Sequence, residues 1–210
     1  MAGGIFVSFE GVEGCGKTTQ LSLLAQELRR RGIPVVTTRE PGGTPLGEHL
    51  RALLLDPDFA PVPWAELFLL EAARAQLVST VIRPALEKGA WVLADRFSDS
   101  SLAYQAGGRG LPWRQVRAAN RMATGGLSPH RTVVLQVPVR EALARARRRP
   151  TTDAKNRRFE DEGEAFHRRV AAAFARLATQ EPQRVRLVDG RGDPSQVHAR
   201  VLAALGELLP

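Results

Sequence analysis

Apolar and polar positions alternate between two periods along the 210 residues. Ile5-Phe6-Val7-Ser8-Phe9, Val35-Val36-Thr37-Thr38, Trp91-Val92-Leu93-Ala94-Asp95 and the runs 132–137 and 185–188 are short, apolar and rich in β-branched residues, the pattern of buried strands. Between them the period lengthens. Leu21, Leu23, Leu24 and Leu28 recur at helical spacing, predicting a helix over about 16–31 that Gly32 closes. Further helices are predicted over 46–55, 63–88 and 112–124, from Pro138 into an arginine run at 145–149, and over 159–179. A terminal helix starts at Asp193-Pro194-Ser195-Gln196, which offers an N-cap, a proline at N1 and a glutamine at N3. The stretch 96–110 reads as polar, and 150–157, polar and aperiodic, as a loop. Strands alternating with helices predict an α/β fold with a mainly parallel sheet. With no repeats and no low-complexity linker, the expected organisation is one domain over 1–210 with a lid-like insertion at about 145–160.

Composition narrows this only a little. Apolar content of 43% and charged content of 25% are ordinary for a globular protein. No apolar run reaches membrane-span length and no leader pattern opens the chain, so a cytoplasmic location is expected. Cys15 is the single cysteine, which excludes an intramolecular disulfide and a multi-cysteine zinc site. His49, His130, His167 and His198 lie far apart, without metal-ligand spacing, and read as surface or structural residues. The net charge of +8 comes almost wholly from arginine, much of it between 140 and 169. A nucleic-acid-binding face is the rival this raises. No zinc-finger, RNP-type or helix-turn-helix signature accompanies it, and a solvated helix face accounts for the same residues.

The chemistry concentrates in Gly11-Val12-Glu13-Gly14-Cys15-Gly16-Lys17-Thr18-Thr19, which fits the phosphate-loop pattern G-x-x-x-x-G-K-[ST]. A strand enters this loop and a helix leaves it, so backbone N–H groups and a helix N-terminus converge on an anion. The nine residues are the expected ATP-binding loop. Lys17 would neutralise the terminal phosphates and the Thr18 hydroxyl would bind Mg²⁺. Asp95 ends a buried strand, the usual place for a carboxylate that orients Mg²⁺ and its waters.

Further motifs are narrower. They are Phe9-Glu10-Gly11-Val12-Glu13-Gly14, Thr38-Arg39-Glu40-Pro41-Gly42-Gly43-Thr44, Ala72-Ala73-Arg74, Asp95-Arg96, Ser100-Ser101-Leu102-Ala103-Tyr104-Gln105 and the arginine-rich segment. On these the chain resembles the bacterial thymidylate kinases over nearly its whole length. The resemblance implies a three-layer P-loop fold with a five-stranded parallel sheet flanked by helices, Mg-ATP as donor, dTMP as acceptor, a homodimer and a lid that closes over ATP. Because Gly14 and Cys15 fill the loop while arginines crowd 145–149, the chain resembles the form that draws its basic residues from the lid. The alternatives are a kinase for another nucleoside monophosphate or a deoxynucleoside, or a basic P-loop protein that binds nucleic acid.

The resemblance also implies roles. Arg74, Arg96 and Arg51 would clamp the dTMP phosphate, a task that suits the arginine fork. Glu13 would bind the sugar 3′-hydroxyl. Ser101, Tyr104 and Gln105 would line the sugar and base, with Gln105 hydrogen-bonding the base and Tyr104 excluding a 2′-hydroxyl. The run 145–149 does not itself single out the lid arginine that acts on the transferring group. Arg149 and Arg158 are the leading pair, and the other arginines there read as a solvated helix face.

Three positions depart from the family pattern. Leu70 stands where a phenylalanine usually stacks on thymine, with Phe68 or Phe97 as substitutes. Leu70→Phe is therefore expected to lower the KM for dTMP about two- to tenfold, the equivalent of one aromatic contact, and an unchanged KM would count against this. Arg157 occupies a position usually held by an acid, with Asp153 as replacement, and Gln136 stands where an aspartate is common. Cys15, beside Lys17 at a helix start, has features that favour a thiolate sensitive to oxidation.

Overall fold

The computed structural model describes residues 3–56, 58–148, 158–159 and 162–209. Its sheet contains β1 (Phe6–Glu10), β2 (Val35–Arg39), β3 (Trp91–Asp95), β4 (Arg131–Gln136) and β5 (Val185–Asp189), all parallel, in the order β2-β3-β1-β4-β5. The continuous apolar runs and the burial agree. Every residue of β1 is buried, because a central parallel strand is covered on both faces, whereas the edge strand β2 is only half-buried.

Helices cover the sheet on both sides. They are α1 (Lys17–Arg30), α2 (Pro45–Leu55), α3 (Pro63–Leu77), α4 (Arg83–Glu87), α5 (Ser98–Ser101), α6 (Trp113–Thr124), α7 (Val139–Arg147), α8 (Glu164–Gln180) and α9 (Pro194–Leu205). Thr44 caps α2 by accepting from the Gly47 N–H at 3.0 Å, and Pro45 takes N1. The capping box expected at Asp193 and Gln196 is present on α9. The helix expected over 63–88 is continuous, with a wider π-type stretch, Val78–Ile82, joining α3 to α4. Among the described residues no helix is long and apolar enough to cross a membrane.

Two stretches differ from the sequence reading. Residues 96–110, read only as polar, are largely helical: α5 runs into a π-type turn, Leu102–Gly108, packed under α8. Its small residues conceal the helix from a periodicity reading, yet they are what lets α8 approach. A Cβ on Gly108 would lie 2.5 Å from the Phe166 ring. Helix α8 starts at Glu164 rather than 159, because Gly163 is extended at its N-cap. Arg158 and Phe159 form a turn instead. Most of the expected lid, including Arg149, Asp153 and Arg157, lies outside the described residues.

From β1 the chain passes to β2 on one flank, returns through β3 beside β1, and only then crosses to β4 on the other side. The carboxyl ends of β1 and β3 therefore flank a topological switch point, where open α/β sheets bind ligands. Phe9 pairs with Asp95 in register, so the phosphate loop and Asp95-Arg96 leave the sheet side by side.

Candidate active site

The loop between β1 and α1 wraps tightly over β4 and α7. Gly14 has φ +77°, and a Cβ there would lie 1.9 Å from the Ala142 carbonyl oxygen, so only glycine fits. The Lys17 ammonium, 7% exposed, donates to the carbonyls of Gly11 (3.1 Å) and Val12 (3.0 Å). Thr18 Oγ1 donates to Asp95 Oδ2 at 2.6 Å, which puts the two expected Mg²⁺ ligands together. Among the described residues no cluster of three or more acidic, histidine or cysteine side chains could hold a metal unaided. Two oxygens facing a phosphate channel nonetheless suit Mg²⁺, which keeps waters and takes its remaining ligands from substrate phosphates. Cys15 lies beneath the loop, 1% exposed, with Lys17 Nζ 3.7 Å from Sγ, so its sulfur is shielded from solvent oxidants.

A channel lined by Lys17, Thr18, Asp95, Arg39, Arg51 and Arg96 leads from this loop. It opens into a pocket whose far end is closed by Leu70, Arg74, Ser101, Tyr104, Gln105 and Phe159. Glu13, Glu40, Arg51 and Arg96 line both. A third recess, on the outer side of the loop, is lined by Gly16, Thr19, Gln20, Arg145, Gly190 and Gly192.

Arg96 joins the two spaces. It has φ +74°, and its guanidinium donates to the Gly11 carbonyl (3.1 Å), Ser100 Oγ (3.2 Å) and Glu13 (2.8 Å) while lying over the Tyr104 ring. Glu13 also accepts from the Tyr104 hydroxyl at 2.8 Å and sits 3.3 Å from the fully buried His167. Burial works against the Glu13 charge, but Arg96, His167 and Lys17 outweigh it and hold the carboxyl down at about 2. Arg51 donates to the Pro41 carbonyl at 3.1 Å and faces both spaces. Burial, reinforced by the neighbouring Arg39, lowers its pKa.

Glu10 supports this corner from below, accepting from the Phe97 N–H (2.8 Å) and Ser100 Oγ (2.6 Å). Burial, assisted by Asp99 and opposed by Arg96, pushes its carboxyl up to about 8. A folded-state pKa above the ordinary 4.5 contributes stability that is complete below pH 4.5 and is lost as pH rises through 8. Glu10→Gln keeps the shape without the titration. The stability of the wild type relative to this variant is thus expected to fall between pH 5 and 8 by roughly 3–4 kcal/mol. Urea unfolding at three pH values checks this, and parallel pH profiles would sink it.

The thymidylate kinase family model matches residues 9–201 of the chain. The chain belongs to the thymidylate kinase family. The thymidylate kinase of Citrifermentans bemidjiense is 48% identical over 205 residues, 96% of this chain and 91% of the relative. That of Deinococcus radiodurans is 47% identical over 207 residues, 99% and 98% of the two chains. A crystal structure of thymidylate kinase from Ehrlichia chaffeensis aligns with a TM-score of 0.77 at 31% identity, covering 97% of this chain and 99% of that one.

In this family member two residues sit otherwise than expected. Arg74 is buried with all its donors committed: Nε and Nη2 to Glu40 (2.8 and 2.6 Å), Nη1 to Glu71 (2.5 Å), Ser101 and Asn120, and Nη2 also to the Phe97 carbonyl. It lines the closed end of the pocket and not the channel, so no N–H remains for a phosphate clamp. Arg158 is held by Glu66 (2.6 Å) and the Leu54 carbonyl (2.9 Å) instead of facing the channel. His167, expected as a surface or structural residue, is structural, being fully buried. Neither proposed substitute for the missing aromatic reaches the pocket, because Phe68 is exposed and stacked on Trp64 while Phe97 is buried against Phe6.

Sequence reasoning missed the aromatic that does reach it. Phe159 lines the pocket with its ring edge-on to Tyr104 at 6.1 Å. It also missed Arg39 in the channel and Glu40 between the two spaces. The one available signal was proximity to motifs already noted, since Arg39 and Glu40 lie inside the Arg-Glu-Pro-Gly-Gly-Thr stretch and Phe159 follows Arg158.

Proposed function

We infer that this enzyme transfers the γ-phosphoryl group of ATP to dTMP, giving dTDP and ADP, as a step in dTTP synthesis. The observation that carries the reading is the continuity of the two spaces: an apolar-walled, base-sized end opens through Glu13, Arg51 and Arg96 onto the phosphate loop. ATP would lie with its phosphates on residues 11–19 and its nucleoside end toward the recess beside Arg145 and Gly190. Thr18 and Asp95 would hold Mg²⁺, which would supply positive charge against the phosphates. The acceptor is a phosphate with a second pKa near 6, already largely ionised at neutral pH, so no general base is required. What the reaction needs is positive charge and alignment between two polyanions. Lys17 supplies these from one side, Arg96 and Arg51 from the other.

Within the pocket, the Glu13 carboxylate accepts from the sugar 3′-hydroxyl. Tyr104, fixed by Glu13 and Arg96, fills the space a 2′-hydroxyl would need. Leu70 and Phe159 form the apolar walls for the base, and Gln105 hydrogen-bonds it. Arg74 and Ser101 stiffen the closed end. Arg149 keeps the role of lid arginine acting on the transferring group, and it lies outside the described residues.

Part of the arginine excess goes into pairs within the chain, including Arg140 and Arg168 with Glu164 and Arg158 with Glu66, which weakens a nucleic-acid reading. The cytoplasmic location and the homodimer belong to the same proposal. The packed helices α3 and α6 leave Phe68 and Met122 60% and 78% exposed, apolar surface that a second copy would cover. Light scattering should give about twice the 22.9 kDa chain mass, and a monomer would overturn the dimer.

The test of function is ADP release from Mg-ATP with dTMP, dUMP, dCMP, dGMP, UMP and AMP offered separately. A strong preference for dTMP supports the reading. Preference for another monophosphate would keep the mechanism and overturn the base pocket, and no turnover with any would overturn the kinase assignment.

A further inference from the structure

Gln105 stands at the closed end of the pocket, 1% exposed. Its Nε2 donates to Glu66 Oε1 at 2.9 Å, while its Oε1 is buried without a partner among the described residues. Glu66 is itself fully buried. It also accepts from Arg109 through Nε and Nη2, both at 3.2 Å, and from Arg158 Nη2 at 2.6 Å. A carboxylate offers only acceptors, so the amide half turned to Glu66 has to be the NH₂. The half left for the pocket is therefore the carbonyl oxygen. The two guanidiniums explain how so buried a carboxylate is tolerated, since a buried charge needs partners. They tie in the aromatic wall as well, because Arg158 and Arg109 lie 5.2 and 6.0 Å from the Phe159 ring centre.

We propose that Glu66 sets the base choice of this kinase by locking the Gln105 amide with its oxygen toward the pocket, so that the site takes a pyrimidine that donates at N3 and rejects one that accepts there. Thymine and uracil carry N3–H. Cytosine presents a lone pair at N3, and against a fixed carbonyl oxygen two acceptors would meet in a buried site. Glu66 touches no substrate and acts only through Gln105, so it is a positioning residue for specificity. The inference rests on the reading of this pocket as the dTMP site.

Glu66→Gln tests it. Arg109 and Arg158 hold the new side-chain oxygen on their side, which turns the new NH₂ toward Gln105. The Gln105 amide then rotates and offers NH₂ to the pocket. The ratio of kcat/KM for dTMP to that for 5-methyl-dCMP, which keeps the methyl group, is expected to shrink at least tenfold, with the dTMP value falling and the other rising. Glu66→Asp is the second variant. It keeps both cations paired but withdraws from Gln105, and the same ratio is expected to fall. In a Gln105→Leu background, Glu66→Gln should no longer change the ratio. Equal losses for both substrates, or an unchanged ratio in either folded variant, would overturn the lock. Wild-type enzyme assayed beside them separates the two inferences: no turnover of dTMP overturns the substrate reading and this proposal with it, whereas normal turnover with an unmoved ratio overturns the lock alone.

Discussion

Lys17→Met is expected to lower kcat by about 10²- to 10³-fold while leaving the fold in place, the scale of losing one preorganised charge at a transferring group. The ammonium rises from the first turn of α1 beside Thr18 and Asp95, and the loop carbonyls of Gly11 and Val12 fix it within the channel. Methionine reproduces the stem and its packing, so what disappears is the positive charge in the channel. The loss should appear in kcat rather than only in the KM for dTMP, because Lys17 faces the channel and does not line the base pocket. Lys17 also helps hold the Glu13 carboxyl low, so the variant should lose stability on acidification at a somewhat higher pH than the wild type. Steady-state kinetics with both substrates saturating, beside a thermal melt, checks this. A kcat within tenfold of wild type would remove Lys17 from the chemistry.

The reach of the sequence shows in residues of this kind. Lys17, Thr18 and Asp95 were legible because each sits at a fixed place on a local pattern: a strand end, a glycine-rich loop, a helix start. The sheet was legible for the same reason, its strands being uninterrupted apolar runs between helices of a different period. What the sequence withheld depends on contacts between distant segments. Arg74 matches its motif, but its orientation is decided by Glu40, 34 residues away, and Asn120, 46 residues away. Nothing local to Arg74 says that its donors will be consumed. Arg158 reads as a lid arginine until Glu66 is found opposite it, and Phe159 reads as the start of a helix until Tyr104 is found beneath it. The helix over 98–108 escaped notice because its small and polar residues carry no apolar period, although those residues are what lets α8 press against it.

The same dependence on distant partners governs the acidic residues. Glu10 ends β1 and Glu13 stands three residues further on, yet the Glu13 carboxyl is held at about 2 and that of Glu10 pushed up to about 8. Glu10 is fully buried and Glu13 keeps only 13% of its side chain exposed, so burial opposes the charge of both. Glu13 has Arg96 hydrogen-bonded to it, with His167 and Lys17 near, whereas Glu10 faces the like charge of Asp99. The carboxylate that lines both spaces is kept ionised at neutral pH, and the one beneath it supports the Phe97 and Ser100 turn that presents Arg96.

Arg96 itself yields the other large effect. Its backbone N–H still bonds the Phe9 carbonyl at 3.0 Å, continuing the β1–β3 ladder, but φ of +74° turns the side chain out of the sheet and into the cleft. A non-glycine residue in this region carries a cost of about 1–2 kcal/mol, offset here by the contacts with Gly11, Ser100, Glu13 and Tyr104. Arg96→Ala and Arg96→Gly are both expected to lower kcat/KM for dTMP at least about 10³-fold, since both remove the charge that meets the acceptor phosphate. Their stabilities should differ. Both leave the Glu13 carboxyl buried without its cation, a loss of about 3–5 kcal/mol. Glycine accepts the left-handed backbone freely, so Arg96→Gly should be more stable than Arg96→Ala by about 1 kcal/mol. The pH dependence should also reverse. In the wild type, with the Glu13 pKa lowered, its stabilisation is complete above 4.5 and lost on acidification toward 2. Without Arg96, burial acts on Glu13 with much less opposition and raises its pKa. Its contribution is then lost as pH rises, and both variants should gain on the wild type between pH 8 and 5. Urea unfolding of the three proteins at both pH values, with kinetics on the same samples, separates backbone from charge. Equal stability of the alanine and glycine variants would show that the turn carries no strain, and a pH-independent gap to the wild type would show that Arg96 is not what keeps Glu13 ionised.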